Sequence, residues 1–306
     1  MAMTKQHQLK KIVVIGAGLM GCGIAQVFAN KGLSVVICDP MEAARDLAFD
    51  RIRENLDLLG QNHDALNHIS LSEDFTKEAK DADIVIEAAP EKLALKRSIF
   101  AALVPCTPEH CILASNTSVI PIRDIAKGVE HCDRIIGTHW WNPPYLVPLV
   151  EVVQSDNSSP AMVTQMIALL EWLGKKPIHV KKDITGFVAN RMQHALWREA
   201  IALVDEGVCD AETVDIAVKN SFGMRLSVLG PIENADMVGL DLTQDIHNVV
   251  LADICRDKSP AKILQRKIDA GDLGMKTGKG FKSYTPKQAA DIKQTMINHL
   301  LEAIHK

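Results

Sequence analysis

The 306-residue chain lacks several patterns that identify whole classes of protein. Its seven cysteines are scattered, with no C-x-x-C pair and no metal-ligand spacing, so we expect reduced thiols and no metal site. No run of about 18 apolar residues occurs, and residues 1–8 contain no apolar signal core. The sequence therefore predicts no membrane span and a cytoplasmic location.

Strong charge of either sign is also missing. The net charge is −4 at pH 7, and no long run of like charge occurs. A basic surface of the kind that binds nucleic acid or anionic membranes is thus not expected, which leaves small molecules as the predicted partners. With 47% hydrophobic residues, the chain can bury a large core and is long enough for two domains.

Short β-branched runs alternate with helical stretches from Lys11 to about Val180. This alternation predicts an α/β fold with a doubly wound, mostly parallel sheet. The candidate strands are Ile12–Ile15, Ser34–Cys38, Ile84–Glu87, Cys111–Ala114, Arg134–Gly137, Leu149–Val153 and Pro177–Val180.

Beyond Asp183 the strand pattern largely disappears, which predicts an all-helical C-terminal domain. The candidate helices are Phe187–Glu206, Asp210–Lys219, Ile232–Cys255 and Pro260–Ala270. We therefore expect a first domain over residues 1–184 and a helical domain for substrate binding and dimerisation over residues 185–306. A helical domain of this size must bury its apolar faces, which favours a homodimer formed through this half.

A glycine motif, Gly16-Ala-Gly18-Leu-Met-Gly21, follows the first candidate strand and opens a helix. Gly16 permits a sharp turn, Gly18 has no Cβ to obstruct a pyrophosphate, and Gly21 allows close packing of the helix. Asp39 ends the second apolar run, where a carboxylate accepts hydrogen bonds from an adenosine ribose and repels a 2′-phosphate. These features predict a Rossmann-type domain that binds NAD, with NADP as the minor alternative because Arg45 lies near Asp39.

The second informative cluster is Gly137-Thr-His139-Trp-Trp-Asn142, with Glu151 following on the next candidate strand. Hydride leaves a carbinol only if the hydroxyl proton is also removed, and imidazole, with a pKa of about 6.5, suits that exchange. His139 is therefore the candidate base on its loop, and Glu151 its orienting partner. The alternatives are a loop histidine bonded to backbone and a solvated glutamate.

Two further polar segments accompany these residues. Ser115-Asn-Thr-Ser118 follows a strand, where ligands of open α/β sheets bind, although the same residue types also cap helices. Asn190 lies at the start of the long candidate helix, where its amide could reach a ligand or serve only as a cap.

These motifs occur in the order found in L-3-hydroxyacyl-CoA dehydrogenases, which the chain resembles over nearly its whole length. The matching segments are Gly16–Gly21, Ser115–Ser118, His139–Pro143, Leu149–Val152, Gly186–Arg191 and Gly274–Phe281. The resemblance implies a dimeric, NAD-dependent enzyme that interconverts a secondary 3-hydroxyl and a 3-ketone on a short 3-hydroxyacyl-CoA.

The resemblance also implies a role for each matching residue. His139 would be the general base and Glu151 its partner, while Ser118 and Asn190 would hydrogen-bond the reacting oxygen of the substrate. The implied cofactor-binding residues are Gly16, Gly18, Leu19, Met20, Gly21, Asp39, Glu91, Lys96, Asn116 and Asn142.

One departure concerns the substrate. Where the acyl-CoA enzymes carry a lysine-rich extension for the CoA phosphates, residues 51–68 have two arginines and no lysine. Other segments look more like the branch that oxidises CoA-free acids, such as L-gulonate, carnitine or pyridine-carboxylate dehydrogenases. Arg225 would then be a candidate ligand of a substrate carboxylate or a surface arginine. An inert NAD-binding structural protein is the remaining alternative, and the presence of all four implied catalytic residues disfavours it.

Overall fold

The computed structural model describes residues 9–304, so the expectation about residues 1–8 lies outside the described residues. The chain divides into two compact units, one of Met1–Asn190 with Leu300–Lys306 and one of Arg191–His299. The predicted domain boundary at 184/185 stays a prediction. Between residues 9 and 304, no helix is long and apolar enough to cross a bilayer.

Eight strands form one sheet in the first unit, in the order β3-β2-β1-β4-β5-β6-β7-β8. They are β1 (Ile12–Ile15), β2 (Val35–Cys38), β3 (Ile69–Ser72), β4 (Ile84–Glu87), β5 (Ile112–Ser115), β6 (Ile135–Trp140), β7 (Leu149–Val153) and β8 (Lys176–Val180). Neighbouring strands run parallel except β6 and β7, which are antiparallel. The predicted doubly wound, mostly parallel sheet is confirmed.

Helices connect the strands and make up most of the second unit. Before β8 they are α1 (Leu19–Ala29), α2 (Glu42–Asp46), α3 (Ala48–Leu58), α4 (Phe75–Glu78), α5 (Leu93–Leu103), α6 (Ile122–Ile125) and α7 (Pro160–Trp172). After β8 they are α8 (Ala189–Asp205), α9 (Ala211–Lys219), α10 (Pro231–Val238), α11 (Leu240–Val250), α12 (Lys262–Asp269) and α13 (Pro286–Ile304). The predicted all-helical C-terminal half is confirmed.

The central strands of the sheet are buried on both faces. Successive residues of a strand point to opposite faces, so Ile12 and Val14 of β1 enter one apolar cluster and Val13 and Ile15 enter another. Full burial of such a side chain stabilises the fold by about 1.5–3 kcal/mol. This two-sided burial explains why β1 consists only of β-branched residues.

The antiparallel pairing of β6 and β7 follows from the length of their connection. Residues 141–148 form the link, which we call the 141–148 segment. A parallel crossover needs about a dozen residues or more, so an eight-residue link can only return the chain antiparallel.

Three details differ from the sequence predictions. Strand β6 runs to Trp140, so His139 lies on a strand and not on a loop. The segment Ile232–Cys255 is not one helix, because Gly239, with φ of +104°, separates α10 from α11. Strand β3 and helix α13 were not predicted.

Candidate active site

The predicted histidine and glutamate face each other across two strands. His139 of β6 is directly opposite Glu151 of β7 in the antiparallel register. Directly opposed residues of an antiparallel pair place their side chains on the same face of the sheet. His139 Nδ1 lies 2.7 Å from Glu151 Oε2, and both side chains are buried. The structure thus joins the two residues in one hydrogen bond.

The second carboxylate oxygen of Glu151 is fixed by backbone. Its Oε1 accepts hydrogen bonds from the N–H groups of Val188 (2.9 Å) and Ala189 (3.1 Å), where α8 begins. Burial raises the pKa of Glu151, but the hydrogen bonds from His139, Ala189 and Val188 together outweigh burial and hold it below the ordinary glutamate value. The carboxylate is therefore ionised at neutral pH.

An ionised carboxylate accepts hydrogen bonds and cannot donate them. In the neutral ring of His139, the proton must therefore sit on Nδ1, where it is donated to Glu151. Nε2 is left with a free lone pair. The arrangement can accept a proton at Nε2 and stabilise the resulting imidazolium through the buried carboxylate.

Two aromatic rings flank the imidazole. The ring centroids of Trp141 and Phe187 lie 5.3 Å and 5.8 Å from that of His139, both tilted. Phe187 is fully buried and has a φ of +49°. These contacts restrict the rotation of the imidazole.

In the polar segment Ser115–Ser118 at the end of β5, three side chains form hydrogen bonds within the protein and one is exposed to solvent. Ser115 Oγ donates to Glu87 (2.6 Å), Asn116 Oδ1 accepts the Trp140 N–H (2.9 Å), and Thr117 Oγ1 donates to Glu91 (2.6 Å). The remaining residue, Ser118, is exposed.

Asn190 is linked to that exposed serine. Its side-chain Nδ2 donates to the Ser118 carbonyl oxygen at 2.8 Å, and Asn190 itself is buried. Because α8 begins beside Glu151, this bond brings the serine segment close to the start of that helix. All four predicted catalytic residues therefore belong to the first compact unit.

A buried ionic network supports the same edge of the sheet, and its central residue was not predicted. Glu87, at the end of β4, is fully buried and accepts hydrogen bonds from Lys96 Nζ (2.7 Å) and Ser115 Oγ (2.6 Å). Lys96 Nζ also lies 3.4 Å from Glu91. Lys96 is therefore buried, and its ion pair with the partly exposed Glu91 is the contact that links it to the site.

Glu91 is the outer member of this network. Its Oε1 accepts the Thr117 hydroxyl and the N–H groups of Ser118 (2.9 Å) and Val119 (3.2 Å). Burial raises its pKa, whereas the Thr117 hydrogen bond and the Lys96 charge lower it, and the net result is a pKa below the usual value. The only clue to Glu87 in the sequence was an acid that ends an apolar strand.

The glycine turn fits a dinucleotide. Gly16 has a φ of +109°, and a Cβ there would lie 2.7 Å from the Ala88 carbonyl oxygen. A Cβ on Gly18, in contrast, would meet nothing within 4 Å. Gly18 caps the start of α1, so open space adjoins the N–H groups of Leu19 and Met20, which attract anions.

Asp39 is held at the tip of β2, beside the same turn. Its Oδ2 accepts the Ala17 N–H (2.8 Å) and its Oδ1 accepts the Met41 N–H (2.9 Å). Arg45 donates to the Asp39 carbonyl oxygen at 2.6 Å and lies 3.9 Å from Glu73. The carboxylate is fixed where a ribose diol of NAD would be bound, and Arg45 is already engaged by other groups.

We expect two glycines of the turn to respond differently to alanine. A Cβ on Gly21 would lie 1.8 Å from the Gly16 carbonyl oxygen, so Gly21→Ala should destabilise the fold by about 1–3 kcal/mol in urea unfolding. Gly18→Ala should fold normally, since its backbone has a φ of −77° and its Cβ meets no protein atom within 4 Å. It should weaken NADH binding in a fluorescence titration, and wild-type affinity would contradict the placement of the pyrophosphate.

Two predicted residues are not part of this cluster. Arg225 belongs to the second compact unit and is exposed. Asn142 is an exposed residue of the 141–148 segment, next to Trp141. Their roles remain predictions.

A dinucleotide turn and a buried histidine–carboxylate pair in one α/β sheet define an NAD-dependent dehydrogenase. Residues 11–184 match the family of the 3-hydroxyacyl-CoA dehydrogenase NAD binding domain, and residues 186–284 match the 3-hydroxyacyl-CoA dehydrogenase C-terminal domain. The chain belongs to the 3-hydroxyacyl-CoA dehydrogenase family.

Similar proteins fall into CoA-dependent and CoA-free groups. A probable 3-hydroxybutyryl-CoA dehydrogenase of Bacillus subtilis is 37% identical over 92% of this chain and 99% of its own length. The 5-formyl-3-hydroxy-2-methylpyridine 4-carboxylate 5-dehydrogenase of Mesorhizobium japonicum is 34% identical over 92% of each chain. A crystal structure of a 5-formyl-3-hydroxy-2-methylpyridine 4-carboxylic acid 5-dehydrogenase, described as an NAD+ dependent dismutase, is similar to this structure with a TM-score of 0.89. The two chains are 32% identical, and the match covers 96% of this chain and 97% of that chain.

Proposed function

We propose that this enzyme interconverts the secondary 3-hydroxyl and the 3-ketone of a short 3-hydroxyacyl substrate, with NAD as the redox partner. The observation that carries the proposal is the 2.7 Å hydrogen bond between His139 Nδ1 and a buried Glu151. This bond leaves Nε2 as a base of fixed orientation in the unit that also contains the glycine turn.

In the oxidation direction, the Nε2 lone pair of His139 takes the hydroxyl proton of the substrate. The carboxylate of Glu151 stabilises the imidazolium that forms and keeps the ring from turning. NAD, when bound, would accept the hydride from the carbon atom that carries the hydroxyl group. In the reduction direction, the imidazolium returns its proton to the ketone oxygen.

Other residues orient the reactants. Ser118, exposed and held by Glu91 and Asn190, would donate a hydrogen bond to the reacting oxygen. Asn190 would assist it through its amide. On the cofactor side, Glu91 would bind the nicotinamide ribose and Lys96 would hold Glu91 in place. Asn116 and Asn142 would line the nicotinamide pocket, with Asn116 fixed by the Trp140 N–H.

The substrate tail has two candidates. A CoA thioester is the family default, whereas the charges of α3 favour a CoA-free acid as the second candidate. Arg51 donates to the carbonyl oxygens of Ala17 (2.7 Å) and Ala44 (3.4 Å), and Arg53 pairs with Asp50 at 2.5 Å. The two arginines of α3 are thus already engaged within the unit and offer little to the phosphates of CoA. On the second candidate, Arg225 would bind the substrate carboxylate.

NADH oxidation separates these candidates. The test compares acetoacetyl-CoA, acetoacetyl-pantetheine, which lacks the nucleotide phosphates, and a panel of free 3-oxo acids. We expect turnover of acetoacetyl-CoA with a similar KM for the pantetheine thioester, because the α3 arginines are engaged. Turnover of free acids alone would replace the default with the CoA-free candidate. A protein that binds NADH but reduces no ketone would be the inert structural alternative, and the proposed function would fail.

We also propose that the enzyme is a homodimer formed through its second unit. Helix α11 exposes an apolar stripe of Leu242, Ile246, Val249 and Val250, spaced so that they share one face. Val249 is 70% exposed. A contiguous apolar face of this kind is typical of a protein interface, and a second copy of the chain is the occupant that the family resemblance implies.

Sedimentation equilibrium tests the dimer. We expect a mass of twice 33.6 kDa for the wild type and a monomer for Val249→Asp, because a charge in an apolar interface is desolvated without a partner. Gln244→Asp is the matched control, since Gln244 lies on the opposite side of α11. A monomeric wild type, or a dimeric Val249→Asp variant, would refute the assignment of this stripe to the interface.

All seven cysteines are free, and Cys22, Cys38 and Cys111 are buried. Thiols that remain unpaired are typical of a reducing compartment. We therefore propose a cytoplasmic enzyme.

A further inference from the structure

One buried charge plays no part in the chemistry described so far. Lys175, just before β8, is 8% exposed, and its Nζ donates hydrogen bonds to the carbonyl oxygens of Pro144 and Val147 (3.0 Å). The ammonium also lies 5.7 Å from the centre of the Trp140 ring. Among residues 9–304, no carboxylate is within ion-pair distance of it, and burial lowers its pKa to about 8.

Burying an ammonium without a counter-ion opposes folding unless its N–H groups are satisfied. Here the compensation comes from two carbonyl groups and an indole face, and all three belong to strand β6 or to the 141–148 segment. The ammonium of Lys175 therefore binds the 141–148 segment, which joins the two strands that carry His139 and Glu151.

Helix α1, which follows the glycine turn, packs against the same 141–148 segment. A Cβ on Gly23 of α1 would lie 2.6 Å from Pro144 Cγ and 3.3 Å from Tyr145 Cδ1. Pro144 thus contacts both Gly23 of α1, which has no side chain, and the Lys175 ammonium. The start of α1 is where the pyrophosphate would bind, and Asn142 is two residues before Pro144 in the segment.

We propose that Lys175 is a positioning residue of the dehydrogenase, which fixes the 141–148 segment against α1 and so sets His139 and Asn142 relative to the bound dinucleotide. The inference rests on the proposed function, because it concerns how that site is aligned. Lys175 does not touch the reacting atoms and acts only through the segment.

The test compares Lys175→Met, which removes the charge, with Lys175→Arg, which keeps it. The cavity of about 930 Å³ that Lys175 adjoins gives a longer side chain room. Lys176→Met is the matched control, since Lys176 is the next residue and is exposed. Each variant is assayed for kcat, KM, NADH affinity, urea unfolding and amide hydrogen exchange.

For Lys175→Met the unfolding midpoint serves only as a check that the variant folds, because removal of the buried charge and loss of the donor to the Pro144 and Val147 carbonyl oxygens have opposite effects on stability. We expect kcat to fall about tenfold or more, NADH affinity to fall several-fold, and exchange to accelerate in residues 142–149 but not in β1 or β4. Lys175→Arg should restore most of kcat. A merely structural lysine would instead leave kcat per folded molecule, NADH affinity and the exchange of residues 142–149 unchanged, and that result would overturn the proposal.

Gly23→Ala serves if Lys175→Met does not fold. Alanine is a better helix former than glycine, yet its Cβ would displace Pro144 from the other side. The variant should show the same fall in kcat and the same local exchange. Wild-type kcat and exchange in Gly23→Ala would refute the proposal. If no ketone is turned over by the wild type, the proposed function fails, while hydrogen exchange and NADH affinity still decide whether Lys175 orders the segment.

Discussion

His139→Gln should lower kcat by about a thousand- to ten-thousandfold while leaving NADH affinity within about twofold of the wild type. Glu151 engages His139 Nδ1 at 2.7 Å, which leaves the Nε2 lone pair of the imidazole to act as the base. Loss of a general base typically removes this much rate, and a group that acts in the chemical step leaves cofactor binding intact. Steady-state kinetics and a fluorescence titration with NADH measure both quantities.

His179→Gln is the matched control. His179 is an exposed histidine of β8 in the same unit, and its ring bonds to Gln154 at 2.9 Å. It should retain wild-type kcat. If His139→Gln turned over at a rate near that of the wild type, another base would have to carry the reaction.

Glu151→Gln should lower kcat by about a thousandfold even though the new side chain has nearly the same shape. The N–H groups of Val188 and Ala189 can only donate, so they will hold the amide oxygen of the glutamine. Its NH₂ group then faces His139 Nδ1, which must accept. The ring proton moves to Nε2, and the base is lost without a change in geometry.

Unfolding and kinetics together separate this effect from simple damage. Because the amide retains the two backbone hydrogen bonds, Glu151→Gln should unfold cooperatively and bind NADH like the wild type. Glu171→Gln, an exposed change on α7, should alter neither rate nor stability. A Glu151→Gln variant with more than about a tenth of wild-type kcat would show that the carboxylate does not set the tautomer.

The sheet could largely be predicted because its central strands are buried on both faces. Seven strands were predicted from short β-branched runs, and a strand occurs at each of the seven positions. Strand β3 was missed because Ile69–Ser72 is an edge strand with two serines and only partial burial. Gly239 divided a predicted helix because its positive φ breaks the helical path between α10 and α11.

Residues of the site could be predicted only where their role depends on a particular type of side chain. The residues His139 and Glu151 followed from their types and spacing, and the register of β6 and β7 places them together. The N–H groups of Val188 and Ala189 have no sequence signature, since any residue except proline supplies one. The part played by Glu87 depends on which buried side chains approach it, which follows only from the tertiary fold.

The tautomer of the His139 ring decides whether Nε2 can act as the base. We propose nitrogen-15 NMR of the imidazole nitrogens in the wild-type protein, with the resonances of His139 identified by their absence in His139→Gln. We expect that, in the neutral form of the ring, the proton is on Nδ1 and Nε2 is unprotonated. A neutral ring with its proton on Nε2 would contradict the proposed base and the role assigned to Glu151.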